Sequence, residues 1–279
     1  MPEGDVLRLT AERLGAALVG APLVRAELRW PSAAGADLVG RTVVESVSYG
    51  KHLLLRLDDG RTLHTHLRME GDWRVERTGT PAAAGRSPAV RAVLATSAWT
   101  CLGRSLGMLD LVRTRDEATL LGHLGPDVLG PGFAEGTAPE VDDAVDRLAA
   151  EPDRPLCVAL LDQRVVAGLG TIWTAETLFA TRWWPWTPAG ALDAAHRRAL
   201  LVAGARLVTR SVLVARRSGL GAVERRVHGR HHKPCVRCRT PVALGSTRGP
   251  DERPEQAALE RVVYWCPSCQ APLPRPWTP

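Results

Sequence analysis

The chain opens Met1-Pro2-Glu3-Gly4-Asp5, which puts an imino acid and a carboxylate side by side. Removal of Met1 would leave Pro2 as a secondary amine. An amine that attacks an aldehydic carbon forms a Schiff base, a recognised form of covalent catalysis. From proline the product is an iminium, which is positive without needing a proton and so remains a strong electron sink. A terminal amine has a reference pKa of about 7.7–8.0 against about 10.4 for lysine, so more of it is neutral near pH 7. Glu3 sets a carboxylate directly beside that amine.

Lysine is rare: only Lys51 and Lys233 stand among 36 basic residues. Arginine does not act as an amine base or nucleophile near neutrality, which singles out these two lysines.

A third group of reactive residues lies near the C-terminus. Cys235-Val236-Arg237-Cys238 and Cys266-Pro267-Ser268-Cys269 are paired Cys-x-x-Cys knuckles. Two intervening residues let both thiolates of a pair reach one tetrahedral ion, so Cys235, Cys238, Cys266 and Cys269 predict a closed, structural Zn²⁺ site without an open position for water. The 27 residues between the pairs exceed the usual spacing of about 15–20. The excess is assigned to a polar loop insertion over 248–256. Cys101 and Cys157 stand alone and read as buried small apolar residues.

Charge points to the partner. The chain carries a formal +6, and between Arg206 and Gln270 thirteen Lys/Arg face five Asp/Glu, a local net of +8. A basic excess gathered in one third of a chain is the footprint of a nucleic-acid-binding face. No secretory signal or apolar run of about 18 residues is present. Cysteine pairs of metal-binding type suit a reducing compartment. No membrane association and a cytoplasmic location are expected.

The elements that must position these groups change character along the chain. Residues 4–19 have helical periodicity, and Gly20 and Pro22 end that helix. Leu53, Leu55 and Leu57 alternate before Asp59-Gly60, and Leu63, Thr65 and Leu67 after it, which predicts a hairpin. Further β-like runs fall at 90–101 and 106–113, with 78–88 as a loop. Beyond Gly125-Pro126 and Gly130-Pro131-Gly132, the segments 139–151, 155–165, 172–181 and 192–210 read as helical. A basic stretch over 216–233 then leads into the cysteine pairs.

In order and spacing these features resemble the formamidopyrimidine-DNA glycosylase/endonuclease VIII family over nearly the whole chain. Met1-Pro2-Glu3-Gly4 is most similar to the endonuclease VIII start. Gly50-Lys51-His52-Leu53-Leu54 resembles the family's lysine-bearing hairpin strand, and Gly125-Pro126-Asp127-Val128-Leu129 its interdomain segment. Leu160-Leu161-Asp162-Gln163 through Gly168-Leu169-Gly170 resembles the helix-two-turn-helix, followed by Pro185-Trp186-Thr187-Pro188. Val227-His228-Gly229-Arg230 and Cys266-Pro267-Ser268-Cys269-Gln270 flank the zinc hairpin. The resemblance implies an α+β multidomain fold: an N-terminal β-sandwich with an N-terminal helix (1–124), a helix-two-turn-helix domain (125–228) and a C-terminal β-hairpin zinc finger (229–279). DNA is expected in the interdomain cleft, and a lesion-covering loop over 211–228.

The implied activity is bifunctional. Pro2 would attack C1′ of a damaged nucleotide and expel the base, Glu3 would supply the proton for ring opening, and the iminium would acidify C2′ so that the 3′ phosphate leaves by β-elimination. Lys51 matches the lysine that binds phosphate and assists this step. Arg261 matches the zinc-hairpin arginine that binds phosphate and assists δ-elimination, with Arg248 and Arg253 as rivals across the insertion. A base inside a duplex must be flipped out and its gap filled. Arg68-Met69-Glu70 lies where relatives place the filling wedge, with Met69 as the apolar candidate, Arg68 as the hydrogen-bonding one, and a buried core methionine as the competing reading. His123 falls where an endonuclease VIII uses an arginine on DNA. Thr171 departs from the asparagine usual after Gly-x-Gly, although backbone amides at a helix start bind phosphate whatever the side chain.

The resulting expectation is a monomeric glycosylase/AP lyase of base excision repair that acts on damaged DNA, with oxidised pyrimidines favoured. A non-catalytic binder of damaged DNA on the same fold is the alternative, and Thr171 is its best support. A zinc-ribbon interaction module accounts for the cysteines but for neither the N-terminus nor Lys51.

Overall fold

A computed structural model of the protein describes residues 2–251 and 261–272. Its contacts divide the chain into two units, 1–123 and 124–279.

The first unit is a β-sandwich with one helix. Helix α1 (Gly4–Leu18) buries Leu7, Leu14 and Leu18 at 1% exposure or less. Each such burial is worth about 1.5–3 kcal/mol, so packing rather than capping holds this helix. Glu3 is the N-cap residue, yet its side chain does not cap; its carbonyl accepts from Val6 and Leu7 N–H at 3.0 and 3.2 Å. Ser46 Oγ donates to the Ala11 carbonyl at 2.7 Å and fixes the helix on the sheet below.

Two four-stranded antiparallel sheets follow. One has the order β2 (Val43–Tyr49), β3 (His52–Leu57), β4 (Arg61–His66), β8 (Met108–Arg113); the other runs β1 (Arg25–Leu28), β6 (Val90–Ala95), β7 (Trp99–Arg104), β5 (Asp72–Arg77). The anticipated hairpin is β3–β4, where Gly60 (φ +77°) closes the turn and Arg61 N–H donates to Asp59 Oδ1 at 3.1 Å. Leu53, Leu55, Leu57, Leu63 and Leu109 join the core together with Trp73, Ala92 and Leu94. Since strand side chains alternate, His52, Leu54, Arg56, Thr62, His64, His66 and Asp110 lie on the opposite face of β3, β4 and β8. Helix α2 (Ala118–Leu121) is a single turn that ends this unit.

The second unit is helical and carries the cysteines. It contains α3 (Glu140–Ala149), α4 (Leu156–Ala159), α5 (Thr171–Ala180) and α6 (Ala194–Ser218), then the hairpin β9 (Ala243–Ser246) and β10 (Val262–Trp265). The helix anticipated over 155–165 shrinks to the single turn α4. From Asp162 the chain instead forms turns, because Asp162 accepts from Arg164 N–H at 2.9 Å and from the Arg154 guanidinium at 2.8 Å. The last helix extends past the predicted end at 210 to Ser218, and Asp193 caps its start by accepting from His196 N–H at 2.8 Å. No helix among the described residues is long and apolar enough to cross a membrane.

Candidate active site and metal centre

The Pro2-Glu3 start of the chain is built into the first unit. Glu3 is 1% exposed and Pro2 half-buried, immediately before the N-terminus of α1, where the helix dipole favours a carboxylate. Lys51, half-buried, stands in the two-residue turn between β2 and β3, after Gly50 (φ +55°) and directly before His52. It therefore occupies a turn rather than the strand suggested by the motif.

Beyond Lys51 the sheet carries a ladder of polar groups that sequence patterning left unassigned. His52 Nδ1 lies 2.8 Å from His64 Nε2, and His64 Nδ1 lies 3.0 Å from Asp110 Oδ2. The His66 ring meets His52 edge-on, with centroids 4.9 Å apart. Farther along, Thr62 Oγ1 donates to Glu117 Oε1 at 2.6 Å, and Arg56 pairs with the same carboxylate at 2.7 Å. Burial, reinforced by the His66, His64, His123 and Lys51 charges, drives the His52 pKa down to about 3. Burial likewise lowers His66 to about 4, and it lowers His64 despite the opposing pull of Asp110. This face is therefore kept neutral at its histidines.

The loop after β4 presents the two wedge candidates differently. Met69 is 57% exposed, which removes the buried-core reading. Arg68 adopts φ +50°, with its N–H donating to His66 Nδ1 at 2.9 Å. A Cβ at Gly107 would collide with the Arg68 side chain, so a glycine is what lets Arg68 lie down there. Met69 is thus left projecting while Arg68 is held against the start of β8. His123 is exposed at the end of the unit.

In the second unit, Thr171 is the first residue of α5, half-buried, behind the N-cap Gly170. The loop leading to it is clamped by one side chain. Gln163 Nε2 donates to the Leu161 and Leu169 carbonyls, both at 2.9 Å, while its Oε1 accepts from Gly168 N–H at 3.0 Å. Gly125 N–H donates to the Gln163 carbonyl at 2.8 Å, and a Cβ on Gly125 would approach the Val165 carbonyl to 2.5 Å. Glu176 on α5, 4% exposed, accepts from the backbone N–H groups of Arg226, Val227 and His228 at 2.9–3.0 Å. Neither Gln163 nor Glu176 stood out as a clamp in the sequence, since each acts on backbone that composition cannot locate.

The cysteines converge. The sulfurs of Cys235, Cys238, Cys266 and Cys269 all lie within 4.8 Å of one another. Arg237 N–H donates to Cys235 Sγ, and Cys269 N–H to Cys266 Sγ, each at 3.4 Å. Four soft donors with backbone N–H bonds to sulfur fit one divalent ion held for structure. The finger is tied to the helical part by buried Gln270, whose Nε2 donates to the Trp183 carbonyl at 3.0 Å and whose Oε1 accepts from Cys266 N–H at 2.9 Å. Arg237 also donates to the Phe179 carbonyl at 2.5 Å and lies 4.1 Å over its ring. Arg261 is exposed at the foot of β10, where its carbonyl accepts from Thr247 N–H at 3.0 Å. Its rival Arg248 is described, whereas Arg253 and the insertion from 252 to 256 lie outside the described residues.

A two-sheet unit whose first helix follows Pro2 and a buried acid, joined to a helical unit with a four-cysteine hairpin, is the arrangement of a class of DNA-repair enzymes, and the comparisons agree. Residues 1–125 match the formamidopyrimidine-DNA glycosylase N-terminal domain. Over 279 residues the chain is 41% identical to the probable endonuclease 8 2 of Streptomyces coelicolor, covering 99% of this chain and 96% of that protein. It is 39% identical to the DNA-(apurinic or apyrimidinic site) lyase Nei2 of Mycolicibacterium smegmatis, covering 97% and 99%. The crystal structure of formamidopyrimidine-DNA glycosylase from Thermus thermophilus is similar with a TM-score of 0.75 at 29% identity, covering 98% of this chain and all of that one. The chain belongs to the formamidopyrimidine-DNA glycosylase/endonuclease VIII family. Within it, the relatives at 41% and 39% place it in the endonuclease VIII branch.

Proposed function

We propose that the protein is a bifunctional DNA glycosylase/AP lyase of base excision repair that removes oxidised bases, pyrimidines in preference, through a Schiff base on Pro2. The observation that carries this reading is the joint placement of Pro2 and Glu3 at the start of α1, with Glu3 1% exposed and not engaged in capping. A buried acid bonded next to the amine nucleophile needs no conformational search to reach the opening sugar. After base loss the iminium acidifies C2′, and Lys51 binds phosphate and assists β-elimination.

Met69 fills the gap left by the flipped nucleotide, with Arg68 beside it, and His123 contacts the strand. Thr171 and the amides at the start of α5 bind a backbone phosphate. Arg261 binds phosphate for the δ step. Residues 125–228 act as the helix-two-turn-helix part and 229–279 as the finger, in which Cys235, Cys238, Cys266 and Cys269 hold one Zn²⁺. Such an ion, when bound, supplies folding energy and no reaction step. The protein works as a monomer in the cytoplasm, on nucleoid DNA.

Borohydride trapping on an abasic-site oligonucleotide tests this. A covalent adduct is expected with the processed chain and is lost when the terminal amine is blocked. Pro2→Gly retains a primary amine and with it partial trapping. Failure of the processed, metal-loaded, DNA-binding protein to form any adduct would overturn the enzyme reading in favour of a damaged-DNA binder.

A further inference from the structure

His64 is 0% exposed in the middle of the polar ladder, and each of its ring nitrogens faces one partner. Its Nδ1 faces Asp110 Oδ2 at 3.0 Å, and an ionised carboxylate only accepts, so Nδ1 carries the hydrogen. With burial keeping the ring neutral, Nε2 is the acceptor. The 2.8 Å contact from Nε2 to His52 Nδ1 is then donated by His52. His52, neutral for the same reason, is left with Nε2 as a lone pair. Among the described residues no hydrogen-bond partner faces that nitrogen. Strand register makes the arrangement: His64 stands directly opposite Asp110, and His52 directly opposite His66.

We propose that Asp110, His64 and His52 form a tautomer lock that presents His52 Nε2 as an uncharged acceptor beside Lys51, making His52 a positioning residue for that lysine. Lys51 precedes His52 in the chain, and its charge opposes protonation of both His52 and His66. The charged and titratable groups that bear on the cluster are Lys51 from the β2–β3 turn, His66 and Arg68 from β4 and its loop, Asp110 from β8, and Glu117 and His123 from the segment after β8. A protonated imidazole would add a second positive charge where the Lys51 charge already bears, and the Nε2–H form would replace the acceptor with a donor. The lock prevents both. The importance of this for elimination rests on the role given to Lys51 in the proposed function.

The lock is tested in the metal-loaded full chain by long-range ¹H–¹⁵N spectra of its histidines. His52 and His64 are expected as Nδ1–H tautomers with unprotonated Nε2 from about pH 8 to about pH 5.5, a range in which an ordinary histidine titrates. An Nε2–H tautomer on either ring overturns it.

Kinetics separate positioning from support of the fold. In Asp110→Ala, elimination at an abasic site in single turnover slows roughly tenfold, less than the about 10²–10⁴-fold worth of a direct proton-transfer group. The borohydride-trapped adduct, which forms at Pro2 and Glu3 before the elimination step assisted by Lys51, stays within about twofold of the parent. Asp110→Glu, which can still accept from His64, restores most of the elimination rate. Equal losses of trapping and elimination, or no loss of either, overturn the positioning role. Absence of any adduct in the parent protein would instead sink the amine reading, and the spectra would still decide the lock.

Discussion

The two units hold their buried polar groups by opposite means. In the first, side chain meets side chain, across adjacent strands in His52–His64–Asp110 and from two strands to the segment after β8 in Arg56–Glu117–Thr62. In the second, single side chains clamp irregular backbone: Gln163 the loop before α5, Glu176 the turn at 226–228, Gln270 the knuckle at Cys266. A sheet has register, so it can align side chains into a chain of partners. Loops have none, and each needs a long polar side chain to satisfy N–H and C=O groups that would otherwise be buried unpaired. The first arrangement suits chemistry, and the second suits shaping a surface.

The largest effect that would sharpen this contrast is metal removal. Structural Zn²⁺ supplies about 10–16 kcal/mol in isolated fingers, far more than the hydrogen bonds that dock this one. A chelator, or Cys266→Ser, is expected to abolish amide protection at 235–246 and 261–270 in hydrogen exchange while leaving β3, β4 and β8 protected. Loss of protection in the sandwich as well would break the separation of the units.

Next comes Glu176→Ala. It strands the buried Val227 N–H, at about 1–3 kcal/mol, and leaves the part-buried N–H groups of Arg226 and His228 without their acceptor. Denaturant titration is expected to show a loss of several kcal/mol, with exchange fastest at 226–228. Gln163→Leu leaves fewer groups stranded and is expected to cost less, about 1–3 kcal/mol.

The last contrast is in pH. A neutral buried histidine lets the unfolded chain bind more protons, so its contribution is complete above the ordinary pKa of about 6.5 and is lost as pH falls. For His52 the loss runs from 6.5 down to about 3, and for His66 down to about 4. In the second unit, burial raises the Asp162 pKa but hydrogen bonds from Arg164 and Arg154 override it and hold it at about 2. Its stabilisation is intact until pH drops below the ordinary carboxylate value of 3.8. His228, lowered to about 4 chiefly by burial, is the histidine in that unit with a comparable shift. Exchange followed from pH 7 to 4 is therefore expected to weaken the sandwich, which holds three such histidines, more than the helical unit, and His52→Gln to narrow that difference.

Much of this was readable before the structure. Residues 4–18, the β3–β4 hairpin and the paired cysteines announce themselves through periodicity, turn residues and spacing, which are local. What escaped depends on partners distant in sequence. The four residues of β1 have no alternation of their own and become a strand by pairing with β6. The segment 155–165 has helical composition, but Asp162 draws its hydrogen bonds into a turn. Pro2, Glu3 and Lys51 stood out by type, whereas His64 and Asp110 are opposite one another only because β4 pairs with β8.

The docking of the finger has an optical consequence. Trp184 and Trp186 have ring centroids 5.5 Å apart, and Trp186 and Trp265 5.4 Å at 83°, so three of the nine tryptophans form one run from the helical part into β10. Indoles this close and this steeply inclined couple their excited states. The protein therefore carries an unlabelled exciton signal in circular dichroism whose sign and strength report, in real time, whether the hairpin is seated.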